Sequence, residues 1–540
     1  MKADKLILSE AIWTGLGNET ISGGIAIKQN KILYIGSESL DEYKSEQTEI
    51  LDYKDHLVIP GIHDSHLHFF MSSVLNSGKV VLLYETKSEE ECIELLKKEA
   101  EKITNKEQWI MGFGWYNLLW DNQELPSKAS LDEAFPDQPM FVQSSDAHTV
   151  WMNSAGFKKL NITKDTPDPV GGHYSRDEQG ELTGILHETA GMSAVAQVYK
   201  FSEDESSEMI KTFIKHINSL GITAVSDLSM MAVPGGDLIP DHVYHKLLKQ
   251  QELNVRIHMY PTLVKDMTRP DTMRKNYQFS KLQTCGVKQF FDGVSSTHTA
   301  FLSEPYSNAK SKDDVGTLTI SKEEMRDLVL QAIENDYSVR IHTIGDGAIS
   351  MALDIFEEAE KKFGKNPHLQ HCLEHLENIQ EKDIQRLKDL NILASCQPAH
   401  SMIDPEGIEA DLGQDRIRLM WPFRDYLSKG VKLSFGTDSP VSDINPFESI
   451  YNAVVRKRID GTPETGWQPQ QSISVQEALR AYTWGSYQTC QRTEELGTLE
   501  IGKLADLAIL DTNIFTERPE KMIRTTSLLT MIDGDIVYKK

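Results

Sequence analysis

Three features of this 540-residue sequence predict an α/β protein: a (β/α)8 TIM barrel carrying a composite β-sandwich built from the two chain ends. The middle of the chain alternates strand-like and helix-like patterns, the signature of parallel strands joined by crossover helices. Both ends read as short strands separated by tight turns. Polar residues of metal-ligating type recur at candidate strand ends, separated by near multiples of one strand–helix unit. The sandwich is assigned to residues 1–60 plus 495–540 and the barrel to 61–494, interrupted by an insertion at about 80–190.

The elements follow in order. Residues 5–13, 24–28, 31–35 and 49–52 are strand-like, with Gly23-Gly24 and Gln29-Asn30 supplying turns. Next comes Val58-Ile59-Pro60-Gly61-Ile62-His63-Asp64-Ser65-His66-Leu67-His68. On a strand, Asp64, His66 and His68 share one face, and two imidazoles there suit a divalent metal. The insertion breaks the rhythm with Trp109, Trp115, Trp120 and Trp151 and with the turn Pro167-Asp168-Pro169-Val170-Gly171-Gly172. Its tryptophans either form a core or line an apolar pocket, Trp115 being the candidate substrate contact. Helices announce themselves by capping boxes at Ser202/Glu205, Ser321/Glu324 and Ser474/Glu477. Strand patterns lie at 221–227, 254–260, 286–292, 338–343, 371–376, 392–397 and 431–437. At the far end, 505–510 and 527–532 are strand-like, and Asp533-Gly534 signals a hairpin.

Composition narrows the function. The net charge of −25 argues against nucleic acid or an anionic membrane surface as partner. No window approaches the roughly 18 apolar residues of a membrane span, and the N-terminus has no secretory pattern. Five scattered cysteines without a CxxC pair fit reduced thiols in a cytoplasmic protein. The expected partner is a small-molecule substrate, with a homodimer as the default assembly.

The polar ladder carries the chemistry. Lys288, His342, His375 and Asp438 sit at successive strand ends, 54, 33 and 63 residues apart. With roughly 30 residues per unit, Lys288 ending strand 4 places the others on strands 5, 6 and 8, and strand 7 falls at 392–397. The 220 residues from His68 to Lys288 exceed three plain units, so the insertion lies there. Arg340 shares a face with His342, and a buried arginine needs carboxylates; Asp292 and Asp227 are the candidates by strand geometry.

The ordered motifs resemble the amidohydrolase superfamily, most of all the branch of N-substituted formamide deformylase-like enzymes. They are Pro-Gly-x-x-Asp-x-His-x-His at 60–68, Val-Lys-x-Phe-x-Asp-Gly at 287–293, His-x-Ile-Gly-Asp at 342–346 and Glu-His at 374–375. Gln-Pro-x-His at 397–400, Gly-Thr-Asp-Ser-Pro-Val at 436–441 and the tail at 497–506 complete the set. The resemblance covers essentially the whole chain. It implies two divalent metal ions, zinc by preference, at the barrel mouth. His66, His68 and Asp438 would hold the first and His342 and His375 the second, bridged by a carboxylated Lys288. Asp438 would also be the catalytic proton carrier. Asp64, Asp346 and Glu374 would support the ligands. His148, His298, Gln397 and His400 are candidate substrate contacts.

The implied reaction is hydrolysis of a C–N bond in an N-acyl or N-formyl compound. A one-metal deaminase or cyclic-ester hydrolase, using His66, His68, His342 and Asp438, is the alternative. A non-catalytic binding relative is the remote one, since all six ligands are present.

Overall fold

The computed structural model describes residues 1–145, 147–169, 171–228, 237–309 and 311–540. Asp146, in the His148 motif, and Val170, in the insertion's turn, lie outside the described residues. The chain forms two compact units. Met1–Phe69, Ile214–Ser229 and Tyr244–Lys540 make the first; Phe70–Phe213 and Met230–Val243 make the second, which is wider than the expected insertion at both ends.

The first unit is a mixed α/β fold. Its parallel strands are β1 (Ile62–Leu67), β2 (Ile222–Leu228), β3 (Arg256–Tyr260), β4 (Val287–Phe290), β5 (Val339–Thr343), β6 (Cys372–His375), β7 (Leu393–Cys396) and β8 (Leu433–Phe435). Strands β1–β3 pair in sequence within one sheet, and β4–β8 pair in sequence within another. Every residue of β1, β2 and β3 is buried, as befits parallel strands covered on both faces.

The hydrogen-bonded ladder does not close into one sheet, unlike the ring the spacing predicts. The two interruptions have local causes. Between β3 and β4, Lys288 donates to the Pro261 carbonyl (2.9 Å) and accepts from Leu263 (2.7 Å), but Pro261 has no N–H to extend the ladder. Between β8 and β1, Asp438 donates to His66 (2.7 Å) and His68 to Ser439 (2.9 Å), but Asp438 lies at φ 57°, outside extended geometry.

Both chain ends join one sheet. Leu507–Leu510 pairs antiparallel with Leu57–Pro60, which pairs with Lys5–Ile12. Instead of two separately paired sheets, the composite is one hydrogen-bonded network that forks. Residues 5–8 pair with Glu49–Asp52, while 11–12 pair with Leu57–Pro60. Both branches feed one apolar cluster that includes Ile7, Ile25, Ile27, Leu51, Leu507, Ile509 and Met531. Asp533 and Gly534 take φ 54° and 77°, the twisted turn that joins Ser527–Ile532 to Asp535–Lys539. One buried arginine ties this sheet to β3. Arg256 donates to Asp506 (2.7 and 2.8 Å), Asp533 (2.7 Å) and Ser280 (2.8 Å).

The capping boxes at Ser202/Glu205 and Ser474/Glu477 form with both reciprocal bonds, whereas Ser321 caps Glu324 from one side. The second unit holds a six-stranded sheet running from Gly172–Arg176 to Val80–Leu82. Trp115, Trp120 and Trp151 pack in its core. Among the described residues no helix is long and apolar enough to cross a membrane.

Candidate metal centre

Strand alternation turns His66 and His68 of the β1 segment toward the end of β8, where Asp438 follows the strand. His66 Nε2 lies 3.3 Å and His68 Nε2 3.1 Å from the same Asp438 oxygen. The other ring nitrogen of each histidine is committed. His68 Nδ1 is 2.9 Å from the Leu228 carbonyl, which can only accept, so Nδ1 carries the hydrogen and Nε2 a lone pair. His66 Nδ1 is 2.6 Å from the Glu374 carboxylate, with the same consequence. Two imidazole lone pairs therefore face an anionic oxygen that itself has no hydrogen-bond partner. Such an array repels itself unless a cation sits among the three atoms. Donors about 2.1 Å from one ion at tetrahedral angles lie about 3.4 Å apart, close to the spacing here. The residues fit a divalent metal on donor type, tautomer and distance.

The remaining expected ligands converge on the same place. The His375 ring lies 5.0 Å from that of His66 and 4.4 Å from that of His342. His375 Nδ1 is buried without a hydrogen bond, and so is Lys288 Nζ. Burial lowers the Lys288 pKa to about 8; Glu374 and Asp438 oppose the shift and Arg340 reinforces it. Its neutral amine is thus accessible near neutrality. His342 Nε2 faces the Gly293 carbonyl at 3.2 Å and Asp292 at 3.7 Å.

Backbone conformation completes the placement. His375 and Asp438 both take positive φ (70° and 57°), as does Leu376 at 49°. For non-glycine residues this is uncommon and costs energy, a pattern concentrated at functional sites.

Supporting groups sort differently from expectation. Asp64 accepts from the His66 N–H (3.1 Å), the Thr437 N–H (3.1 Å) and the Thr437 hydroxyl (2.6 Å), fastening β1 to the turn after β8. Glu374 links His66 to Arg340, whose Nε donates to it at 2.6 Å. Arg340's partner is therefore Glu374, not Asp292 or Asp227. Asp292 accepts three backbone N–H groups, from Phe301, Ile344 and Gly345. Asp227 takes the Phe69 N–H and the Tyr244 hydroxyl. Asp346 holds Ser303 and Gln380 at the start of the helix Asp346–Phe363 and makes no bond to a ligand.

Of the expected substrate contacts, Gln397 lies 3.2 Å from His66 Nδ1 and His400 Nε2 3.7 Å from Asp438. His298 is clamped, with Asp314 at 2.7 Å, Asp411 at 3.5 Å and the Tyr306 ring stacked at 4.0 Å. His148 belongs to the second unit and bonds Glu188 at 2.7 Å. Trp115 is built into that unit's core, 1% exposed, its indole N–H on the Val142 carbonyl. One group went unread in the sequence: Glu377, 3.6 Å from His400 and grouped with His375 and His400 as a second possible cation cradle. Its signal was a carboxylate two residues beyond a ligand histidine.

The amidohydrolase family pattern matches residues 49–538. The chain is 30% identical to the protein LONG AFTER FAR-RED 3 of Arabidopsis thaliana, over 99% of this chain and 92% of that one. It is 25% identical to an N-substituted formamide deformylase of Arthrobacter pascens, over 99% and 98% of the two chains. A solved metal-dependent hydrolase from Pyrococcus horikoshii, described as uncharacterised, superposes with a TM-score of 0.76 at 26% identity, covering 95% of this chain and 99% of that one.

Proposed function

The chain belongs to the amidohydrolase family, and from that premise we propose that it hydrolyses a C–N bond in a small N-acyl or N-formyl compound, using two divalent cations. The observation that carries the proposal is the facing of two imidazole lone pairs and one carboxylate oxygen across 3.1–3.3 Å. His66, His68 and Asp438 would hold one cation, and His342 and His375 the other. Lys288 would bridge them as a carbamate, because CO2 adds to a neutral amine and converts a repelling cation into an anionic ligand. Zinc suits these nitrogen and oxygen donors. The deformylase relative supports an N-formyl or N-acyl substrate. The cross-seam bonds from Asp438, His68, Lys288 and Leu263 support a reading of β1–β8 as a barrel.

When bound, the cations would polarise a carbonyl and acidify water. The chain's own residues do the rest. Glu374 and the Leu228 carbonyl fix the imidazole tautomers, keeping Nε2 of each ring aimed inward. Asp438 takes a proton from the attacking water and delivers it to the leaving nitrogen, with His400 3.7 Å from its second oxygen to orient it. Asp64 holds the turn that carries Asp438.

Metal analysis of purified protein tests the reading together with turnover on a panel of N-formyl and N-acyl amides. About two cations per chain held by nitrogen and oxygen donors alone, and amide cleavage, are expected, with Asp438→Asn lowering kcat at least about 10²-fold. A single cation with cleavage of exocyclic amines or lactones instead would favour the mononuclear alternative. Fully loaded protein inert toward all these substrates would overturn the proposal.

A further inference from the structure

A second cluster of ligand-type side chains lies on β1 and β3, outside the centre described above. His63 is three residues from His66 on the same strand, so alternation turns it to the opposite face. It lies opposite Ala224 of β2, and His258 of β3 lies opposite Ser226 of β2. The small Ala224 and Ser226 leave room above β2 for the two imidazoles to meet, ring centroids 4.9 Å apart. Cys490, just past the helix Ser486–Thr489, completes the group. The ligating atoms of His63, His258 and Cys490 all lie within 4.8 Å of one another.

The two imidazoles are buried and poorly satisfied, while the Cys490 thiol donates to the Tyr487 carbonyl at 3.5 Å. His63 and His258 are 0% and 1% exposed. Neither nitrogen of His258 has a hydrogen-bond partner, nor does Nδ1 of His63. The Val225 carbonyl favours a proton on His258 slightly, without hydrogen-bond geometry. An unsatisfied buried donor or acceptor is costly, so His63 Nδ1 and a nitrogen of His258, gathered with a thiol within 4.8 Å, call for an occupant. His63 Nε2 lies 3.0 Å from the Ser226 hydroxyl, which can accept its hydrogen and so free the Nδ1 lone pair for a metal, the outer-shell pattern of ligating histidines.

We propose that His63, His258 and Cys490 form a separate metal site for a thiophilic cation, zinc or copper(I), that fastens β1 and β3 to the end of the helix Ser486–Thr489. Two imidazole nitrogens and one thiolate sulfur suit both ions. Ligands about 2.0–2.3 Å from a common ion are closer than 4.8 Å, so a small inward rotation of the side chains completes the site. Binding releases the thiol proton to solvent. The thiolate then cancels one positive charge, which matters beside Arg492 and Arg256: both arginines disfavour charge on His258. With copper(I) the bound set is neutral, and with zinc it carries one net charge. Burial also keeps both imidazoles neutral, the form that ligates.

The site is separable from the proposed catalytic centre because that centre contains no sulfur. The test is X-ray absorption on purified full-length protein after incubation with zinc chloride, or with copper(I) under anaerobic conditions. A metal–sulfur shell at about 2.3 Å is expected with at least one ion. Cys490→Ser should abolish the shell and lower the bound metal by one per chain while leaving hydrolytic turnover unchanged. His258→Gln should weaken binding in the same way. The ion that yields the shell identifies the cation. Absence of a sulfur shell with both ions overturns the proposal, as does a shell that survives Cys490→Ser. A crystal structure showing only a water among the three residues at saturating metal would do the same.

Discussion

Replacing Glu374 by glutamine changes one atom and is expected to disable a ligand that Glu374 never touches through a metal. The carboxylate spans two donors, taking Arg340 Nε on one oxygen and His66 Nδ1–H on the other, both at 2.6 Å. Arg340 can only donate, so an amide at 374 must turn its oxygen toward the guanidinium and its NH2 toward His66. His66 then accepts at Nδ1 and carries its hydrogen on Nε2, the atom aimed at Asp438. The ligand lone pair is replaced by an N–H. Loss of such outer-shell partners costs about 10–100-fold in metal affinity. Stability falls too. Arg340 and Glu374 are both fully buried, and stripping the countercharge from a buried pair costs about 3–5 kcal/mol, nearer the lower figure because the amide keeps one hydrogen bond.

The Gln397 amide nitrogen is 3.2 Å from the same Nδ1, and turning that amide over would present its oxygen, now without a partner, to hold the hydrogen on Nδ1. The double variant Glu374→Gln/Gln397→Leu should therefore lose more metal than either single variant. The assay is residual metal per chain after dialysis against graded chelator, paired with urea denaturation. Wild-type metal retention in the double variant, with the fold intact by circular dichroism, would refute the tautomer argument.

Arg256→Met should leave Asp506 buried without its countercharge and cost about 3–5 kcal/mol in urea denaturation; a loss below about 1 kcal/mol would show the clamp is not needed. His371, whose Nδ1 accepts the Val339 N–H at 3.1 Å, has its pKa lowered by burial from 6.5 to about 4. The unfolded chain therefore binds more protons between these values, so the contribution is fully present above pH 6.5 and lost as pH falls toward 4. Because the residue is only partly buried, about 1–2 kcal/mol is expected, read as a smaller Tm drop from pH 7 to pH 5 in His371→Asn than in wild type. Trp115→Ala should destabilise by about 3–5 kcal/mol as a core truncation; an unchanged Tm with a raised KM would instead make the indole a substrate contact.

The succession of ligand strands was legible because strand–helix units have a nearly fixed length. Lys288, His342, His375 and Asp438 fall on β4, β5, β6 and the end of β8, and the silent β7 lies where the spacing required it. Asp64 and Glu374 were legible as supporting groups, but the pairing of Glu374 with His66 and Arg340 was not, and the reason is conformational. Glu374 and His375 are neighbours and would face opposite sides of a regular strand. The left-handed backbone at His375 and Leu376 turns the ligand back, so both side chains reach His66. Parity arguments fail at such a residue, which is why Arg340 was matched to more distant carboxylates. The three-way meeting of His63, His258 and Cys490 depended on β1 and β3 flanking β2, a pairing no local motif announces.

The Arg256 clamp has a consequence for how the molecule is made. Its guanidinium leaves the ribosome 250 residues before the Asp506 carboxylate that neutralises it, and Asp533 comes later still. Until then β3 carries a cation destined for the interior without its two carboxylate partners, so the parallel strands are expected to gain their full stability only after the tail is made. A nascent chain stopped before Asp506 should collect with chaperones or in aggregates, whereas one released after Asp533 holds both counterions and can close.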